Sequence, residues 1–240
     1  MIWRKSSLHI VKEWWLRLKK RQNGLKGSRL AITGKASIDK AARCIRRGGV
    51  VAFPTETYYG LAVDPFNGEA VEKLFRLKQR PPDRPVLLLL ENLEQLYLLV
   101  SDFPEQYQPL IERYWPGPLT LVFPALQSME KKITAGTGSV GVRISPHPIA
   151  SQLVAAVGHP ITATSANLSG QPPARNVGEI AAMFENAIDL VLDGGEAGTT
   201  LCSTVVGIKD SKIKVLRSGQ VDVDHELRKN TRCFTGRRER

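Results

Sequence analysis

The segment VVAFPTETYYGLAVDPFNGEAVEKLFRLKQRPPDRP, at residues 50–85, combines a predicted strand with the first group of candidate site residues. Its β-branched and aromatic run at 50–53 predicts a buried strand. Pro54 ends that strand, because proline cannot donate a hydrogen bond to a sheet. Residues 55–57 then place two hydroxyls and a carboxylate just past its carboxyl end, where open α/β sheets usually bind ligands.

A helix and a pair of cations complete this segment. The apolar residues after Gly68 recur with helical spacing, and two prolines after Arg80 stop the helix. Lys78 and Arg80 stand two positions apart at this helix end, so they point in different directions and can hold an anion from two sides. A K-x-R pair by itself is more often a solvated surface. Its coupling to the strand end at 55–57 favours an anion site, whose two cations are expected to be solvated until the anion binds.

Predicted strands and helices alternate over residues 31–222, without an internal repeat or a low-complexity linker. This alternation predicts one α/β domain, and the last two strands, at 205–208 and 213–216, are expected to pair antiparallel. We expect Ser37 to cap the first helix and Asn92 to cap a later one. With 240 residues, 42% of them hydrophobic, the chain is long enough to bury a sizeable core.

The net charge of +11 is concentrated at the two ends of the chain. Residues 1–30 carry a charge of +8 and residues 225–240 a charge of +4, which leaves −1 for residues 31–224. We therefore divide the chain into a basic N-terminal extension, a central domain and a basic C-terminal tail. Because the central domain is nearly neutral, composition alone assigns no nucleic-acid role to the fold.

The N-terminal extension, residues 1–30, has the pattern of an amphipathic helix with an apolar face that includes two tryptophans. Such a helix suits a membrane surface, RNA, a partner protein or the surface of its own domain, and an organellar targeting segment is a further alternative. The chain has no apolar run of about 18 residues, the length of a membrane span. Its three cysteines are far apart and lack the spacing of zinc ligands, so we expect no metal-ligating residues and a reducing, cytoplasmic location.

Hydroxyl, amide and cationic side chains recur near the ends of the predicted strands and in the loops beside them. They are Thr55, Lys78, Arg80, Ser139, Arg143, Ser165, Asn167, Ser203, Thr204 and Arg217. If the strand ends converge, these side chains form one site rich in cations and neutral hydrogen-bond donors. The sequence has no P-loop, no dinucleotide fingerprint and no nucleophile–histidine–acid arrangement. The pattern therefore indicates an anion-binding α/β domain, with a nucleotide as the favoured ligand, that acts by positioning and electrostatics.

Six motifs, in the order PTETYYGL, LKQRP, WPGPLT, VGVRI, TSANLSG and CSTVV…VLRSG, resemble the YrdC family of threonylcarbamoyl-adenylate synthases. The resemblance covers roughly residues 38–220 and implies the single-domain form of a YrdC/RibB-type fold, a twisted mixed sheet flanked by helices around a concave site. It implies a nucleotidyltransferase that makes L-threonylcarbamoyl-AMP and pyrophosphate from L-threonine, bicarbonate and ATP, with Mg²⁺ screening the phosphates. The threonylcarbamoyl group would then reach adenosine 37 of ANN-decoding tRNAs through partner proteins.

The resemblance also implies roles for nine residues. Lys78 and Arg80 match the K-x-R phosphate-binding pair of the family and are the candidate catalytic residues. The positions on the ATP side are Lys78, Arg80, Ser139, Ser165, Asn167 and Arg217. The positions on the threonine side are Thr55, Arg143 and Ser203, with Arg143 the natural partner of the threonine carboxylate. Two positions depart from the family pattern: Leu89 replaces a histidine that many longer members have, and Ser218 replaces a frequent proline.

Two other functions compete with the synthase. One is a double-stranded RNA- or ribosome-binding module of the same fold, in which the concave face and the basic ends grip backbone phosphates. The other is the riboflavin-pathway synthase of related fold, which acts on a sugar phosphate. That enzyme requires an acidic, metal-binding loop, and the sequence shows none.

Overall fold

A computed structural model describes residues 34–185 and 187–223. The predicted N-terminal extension at 1–30 and the predicted tail at 225–240 lie outside these described residues. The α-helices are α1 (Lys35–Arg46), α2 (Gly68–Lys78), α3 (Gln108–Tyr114), α4 (Lys131–Thr134), α5 (Pro148–Val157) and α6 (Val177–Phe184). The strands are β1 (Val51–Phe53), β2 (Gly60–Ala62), β3 (Leu88–Leu90), β4 (Leu119–Pro124), β5 (Ser139–Ile144), β6 (Ile161–Thr162), β7 (Thr164–Ser165), β8 (Leu190–Val191), β9 (Thr204–Lys209) and β10 (Lys212–Arg217). Two 3₁₀ helices cover Leu93–Leu98 and Glu105–Tyr107.

The strands form two mixed sheets. The smaller sheet has the order β7-β2-β1-β8, and the larger has the order β10-β9-β4-β5-β3-β6. In the smaller sheet β1 pairs antiparallel with β2 and parallel with β8, and in the larger sheet β4 pairs antiparallel with β5 and parallel with β9. The predicted α/β class with mixed pairing is confirmed, although the strands divide between two sheets. The predicted antiparallel pairing of the last two strands, β9 and β10, is also confirmed.

Two apolar clusters hold these elements together. The larger cluster packs α2 and the 3₁₀ helices against both sheets and includes Leu74, Leu88 and Phe123, all fully buried. The second cluster packs α1 and α5 against β1 and β3 and includes Phe53 and Leu153. Burying one such side chain contributes about 1.5–3 kcal/mol, so the two clusters together fix the sheets that carry the candidate site.

Side chains cap the N-termini of α2, α5, α6 and the first 3₁₀ helix, but not that of α1. Ser37 was predicted to cap α1, and this prediction is wrong: the helix begins at Lys35, and the Ser37 N–H already bonds to the Gly34 oxygen, 2.9 Å away, within the first turn. The Asn92 prediction is confirmed, because its side chain accepts the N–H of Gln95 at 3.2 Å, although the helix that it caps is 3₁₀. Within the described ranges, no helix is both long and apolar enough to span a bilayer.

Candidate active site

A cavity of about 490 Å³ is lined by residues from both sheets. Seven of the nine predicted site residues lie on its wall, namely Thr55, Arg80, Ser139, Arg143, Ser165, Ser203 and Arg217. The wall contains three arginines and no aspartate or glutamate among the described residues. The strand ends therefore meet the condition set by the sequence and converge, and the cavity that they form is electrostatically suited to an anion.

Lys78 and Asn167 lie behind the wall of the cavity, in contact with Ser165. The last turn of α2 carries Lys78, whose side chain is 1% exposed. Its Nζ atom donates to the backbone oxygens of Ser165 and Asn167, the second at 2.8 Å, and to the Asn167 Oδ1 atom at 3.0 Å. The prediction that Lys78 is solvated is wrong. The chain at 165–167 covers the end of α2 and accepts hydrogen bonds from the Lys78 ammonium group. Burial, reinforced by the charge of Arg80, lowers the pKa of Lys78 to about 7.

Ser165 and Asn167, which form an S-x-N motif at residues 165–167, are held by the same network. The Ser165 hydroxyl donates to the Asn167 Oδ1 atom at 2.7 Å, and the Asn167 amide donates to the Gln171 backbone oxygen at 2.5 Å. Lys78 also accepts the N–H of Ser169 through its backbone oxygen at 2.8 Å. The end of α2 and the turn after β7 thus stabilise each other. Their contact also positions Ser165, which lines the cavity.

Arg80 comes from the loop after α2 and faces the cavity directly. Two backbone oxygens orient its guanidinium: that of Pro85 accepts from Nη2 at 2.7 Å, and that of Arg84 accepts from Nε at 3.1 Å. Burial lowers the pKa of Arg80, and the charge of Arg84 lowers it further. The two residues of the K-x-R pair therefore differ in position. Lys78 is buried behind the cavity wall, and Arg80 lines the cavity.

Arg143 lies in β5, is 6% exposed and lines the cavity. Its Nη1 atom is 2.7 Å from the Oε1 atom of Glu56, in an ion pair whose side chains are 7% and 14% exposed. Burial lowers the pKa of Arg143 and the charge of Arg217 adds to this, whereas the charge of Glu56 raises the pKa. Glu56 follows directly after Thr55 in the PTET motif, yet sequence reasoning did not select it, because no local pattern shows which cation a carboxylate will meet.

Ser203 and Arg217 were assigned to different sides of the site, and they are in direct contact. The Arg217 Nη2 atom is 2.9 Å from the Ser203 backbone oxygen and 3.1 Å from its hydroxyl oxygen. The Thr120 hydroxyl lies 3.0 Å from the Ser203 hydroxyl on the other side. The two predicted sides therefore adjoin at this point of the cavity.

The turn that follows Arg217 is held in place, although Ser218 replaces the proline that is frequent in the family. A Cβ atom on Gly219 would come within 2.4 Å of the Cys202 oxygen and 2.5 Å of the Thr204 nitrogen, so the backbones touch here. The N–H of Gln220 then donates to the Cys202 oxygen at 3.0 Å. Glycine is required at 219 for this close approach, which anchors the turn without a proline at 218.

Thr55 and Ser139 bring hydroxyls to the wall through local turns. The Thr55 hydroxyl donates to the Tyr58 oxygen at 2.8 Å and accepts the N–H of Thr57 at 3.1 Å. Ser139 begins β5, and its hydroxyl oxygen is 2.8 Å from that of Thr137. Both hydroxyls therefore have intramolecular partners that a ligand would share or replace.

The departure at Leu89 lies away from the cavity wall. Leu89 is fully buried in the second apolar cluster, beside Phe53. The residue of this segment that does line the cavity is Leu87, whose Cδ2 atom would be 2.5 Å from a Cβ atom on Gly141. Sequence reasoning missed Leu87, because a run of four leucines at 87–90 gives no sign of which one faces a ligand.

Comparison with known proteins identifies the family. The Sua5_yciO_yrdC model, described as "Telomere recombination", matches residues 43–219. The threonylcarbamoyl-AMP synthase of Pyrococcus abyssi is 39% identical over 77% of this chain and 54% of its own length, and that of Cellvibrio japonicus is 36% identical over 77% of this chain and 93% of its own length.

A solved structure supports the same assignment. P. abyssi Sua5 complexed with L-threonine matches with a TM-score of 0.76 and 38% identity, over 80% of this chain and 56% of its own. The chain spans about half the length of both P. abyssi proteins and nearly the whole length of the Cellvibrio relative. From the family model and these identities we conclude that the chain belongs to the Sua5/YciO/YrdC family.

Proposed function

We propose that the protein is an L-threonylcarbamoyladenylate synthase, a nucleotidyltransferase that uses L-threonine, bicarbonate and ATP. One observation carries the proposal: the cavity wall has three arginines, several hydroxyls and no carboxylate among the described residues. ATP and threonine together bring a triphosphate and a carboxylate, both of which arginine binds through charge-assisted hydrogen bonds. The names of the relatives and the threonine complex of P. abyssi Sua5 support the same choice.

On this proposal the two substrates occupy opposite parts of one cavity. Arg80, Ser139 and Ser165 hold the phosphates and nucleotide, with Lys78 and Asn167 supporting Ser165 from behind the wall. Thr55 and Arg143 hold threonine, and Arg143 binds its carboxylate. The contact between Ser203 and Arg217 lies where the two parts adjoin, and this is where the reacting atoms would meet.

The proposed reaction needs no covalent bond to the protein. The threonine amine and bicarbonate form a carbamate and release water. A carbamate oxygen then bonds to the α-phosphorus of ATP as the bond from that phosphorus to the bridging oxygen of pyrophosphate breaks. Negative charge grows on the departing pyrophosphate, and preorganised cations such as Arg80 stabilise it.

Magnesium would enter this site as part of the ATP substrate. In the described ranges no group of three or more histidine, cysteine, aspartate or glutamate side chains is arranged to hold a metal ion. The phosphates and water are therefore the ligands that we propose for Mg²⁺, whose charge would screen the triphosphate as pyrophosphate leaves.

If the product is threonylcarbamoyl-AMP, the reaction of this protein precedes a step that transfers the threonylcarbamoyl group. We propose that the threonylcarbamoyl group passes to adenosine 37 of ANN-decoding tRNAs through threonylcarbamoyl-transfer proteins in the cytoplasm. The basic segments at 1–30 and 225–240 are the proposed contacts for RNA, since the central domain is close to neutral.

The product itself tests this function. The full chain is incubated with MgATP, L-threonine and ¹⁴C-bicarbonate, and the nucleotides are separated and identified by mass spectrometry. The proposal predicts label in threonylcarbamoyl-AMP, and none when threonine is left out. Unlabelled AMP or ADP as the sole product would contradict it, because the protein would then be a nucleotide hydrolase.

A further inference from the structure

The buried ion pair of Arg143 and Glu56 has an unusual geometry. Arg143 Nη1 and Glu56 Oε1 are 2.7 Å apart, yet neither atom has an aligned hydrogen bond within the described part of the chain. Buried polar atoms in folded proteins almost always have a hydrogen-bond partner, and exceptions are frequent at functional sites. A guanidinium has five N–H donors in a rigid plane. In Arg143 the Coulomb attraction of Glu56 acts on Nη1, and the guanidinium that it orients belongs to a residue of the cavity wall.

Glu56 approaches the guanidinium from outside the cavity. Thr55, Thr57 and Arg143 lie on the wall, whereas Glu56 is absent from it. The Glu56 Oε2 atom accepts a short hydrogen bond from the hydroxyl of Ser145, which is 4% exposed. The Ser145 hydroxyl in turn accepts the N–H of His147 at 3.2 Å. The carboxylate is therefore fixed at both oxygens and cannot rotate into the cavity without breaking the Ser145 contact.

The charges around the pair explain why Arg143 needs this support. Removing a guanidinium from water costs several kcal/mol unless an opposite charge offsets it. Arg217 is a second cation close enough to lower the pKa of Arg143, and Glu56 acts in the opposite direction. Without Glu56, the Arg143 side chain would have to leave its buried position or remain there uncompensated.

We propose that Glu56 is a positioning residue for the substrate carboxylate, acting through Arg143. With Ser145 it holds the Arg143 guanidinium at the cavity wall in one orientation. This inference rests on the proposed function, in which Arg143 binds threonine. Glu56 itself touches no substrate, so its effect should be confined to the threonine side of the reaction.

The experiment compares Glu56→Gln, Glu56→Asp and the full wild-type chain. Threonine binding is measured by titration calorimetry, and KM for threonine and for ATP by pyrophosphate release. We expect Glu56→Gln to weaken threonine binding and raise its KM by about tenfold or more, because a misplaced binding group costs up to about 100-fold. KM for ATP should stay within twofold, and Glu56→Asp, which keeps the charge, should recover part of the loss. Asp189→Asn is the control, since it breaks the 2.7 Å ion pair with Lys73 outside the cavity.

Two results would overturn the inference. An unchanged threonine affinity in folded Glu56→Gln would mean that Arg143 holds its orientation without Glu56. Equal rises in both KM values would mean a merely structural role. If Glu56→Gln does not fold, Ser145→Ala removes the hydrogen bond to Oε2 and should raise KM for threonine about threefold, as expected for one lost hydrogen bond.

The calorimetry separates this inference from the proposed function. A wild-type chain that binds threonine but forms no adenylate would contradict the function and leave the Glu56 comparison intact. A wild-type chain that fails to bind threonine would contradict both.

Discussion

The Nζ atom of Lys78 lies 2.8 Å from the backbone oxygen of Asn167 and 3.0 Å from its side-chain oxygen. This contact divides the K-x-R pair into two roles. Lys78 supports the S-x-N turn from inside the protein, and Arg80 lines the cavity, where we propose that it meets the phosphates.

Arg80→Ala should strongly reduce adenylate formation while the fold stays intact. A charge-assisted hydrogen bond to phosphate contributes about 1.5–3 kcal/mol, so we expect a loss of roughly 10–150-fold in steady-state pyrophosphate release. Arg76→Ala is the matched control, because Arg76 is an exposed cation in the last turn of α2, just before the loop that carries Arg80. A rate for Arg80→Ala within twofold of wild type would remove Arg80 from the site.

Lys78→Ala should also reduce adenylate formation strongly, but for a different reason than Arg80→Ala. The turn that contains Ser165 and Asn167 would lose its contacts with the end of α2. Three oxygen atoms lose the ammonium donor at once. The Ser165 backbone oxygen and the Asn167 Oδ1 atom each keep a second donor, and a buried acceptor left without a partner, here the Asn167 backbone oxygen, costs about 1–3 kcal/mol. We therefore expect a lower thermal midpoint together with a raised KM for ATP. An intact midpoint with lost activity would show instead that the ammonium meets the phosphates directly.

The pH dependence of stability tests the burial of Lys78. Its pKa falls from 10.5 in an open chain to about 7 in the fold. Between these values the unfolded chain binds more protons than the folded one, so the free energy of unfolding rises with pH, by at most about 1.4 kcal/mol per pH unit. Compared with Lys78→Met in urea unfolding, the wild type should gain stability from pH 7 to pH 9. Parallel curves would mean that the three oxygens keep the amine protonated in the fold.

Arg143→Lys should impair the use of threonine more than the binding of ATP. The planar guanidinium can bind a carboxylate through two N–H groups while it faces Glu56, and an ammonium group cannot. We expect KM for threonine to rise about tenfold, which corresponds to roughly 1.4 kcal/mol. Each substrate is titrated separately at saturating levels of the other. Unchanged threonine affinity with weakened ATP binding would place Arg143 on the nucleotide side.

The basic ends of the chain should govern RNA affinity and leave synthesis intact. Residues 1–30 and 225–240 carry +12 together, and none of the family motifs lies in them. Each phosphate neutralised by lysine or arginine adds salt-dependent affinity. A shortened chain, residues 31–224, should therefore keep most of its synthase activity and lose much of its RNA binding across a salt series.

Circular dichroism must first show that the shortened chain folds. Loss of synthesis in a folded shortened chain would mean that the ends complete the active site. Undiminished, salt-sensitive RNA binding would instead place a basic surface on the central domain and favour the RNA-binding module.

Local patterns predicted the elements that carry the site. The β-branched run before Pro54 became β1, and the helical spacing before Lys78 became α2. Hydrophobic periodicity reports which face of an element is buried, and this was enough to locate these elements along the chain, although their convergence on one site stayed a condition. The helical pattern after Asn92 was less informative, because it does not separate a 3₁₀ helix from an α-helix.

The contacts between distant residues could not be predicted. Lys78 is buried because the turn at 165–167, almost ninety positions later in the chain, covers it. Glu56 meets Arg143 because β1 and β5 belong to different sheets that face one cavity. A single sequence does not show which distant residues meet in the fold. The resemblance to a family therefore named candidate site residues but did not separate those on the cavity wall from those behind it.

The most direct test of the central claim is pyrophosphate release by the full chain with MgATP. We predict release that requires both L-threonine and bicarbonate, stops when either is omitted, and falls by at least tenfold in Arg80→Ala, as expected for the loss of a charge-assisted hydrogen bond. Release that is independent of threonine, or none at all from a folded chain supplied with all three substrates, would contradict the account.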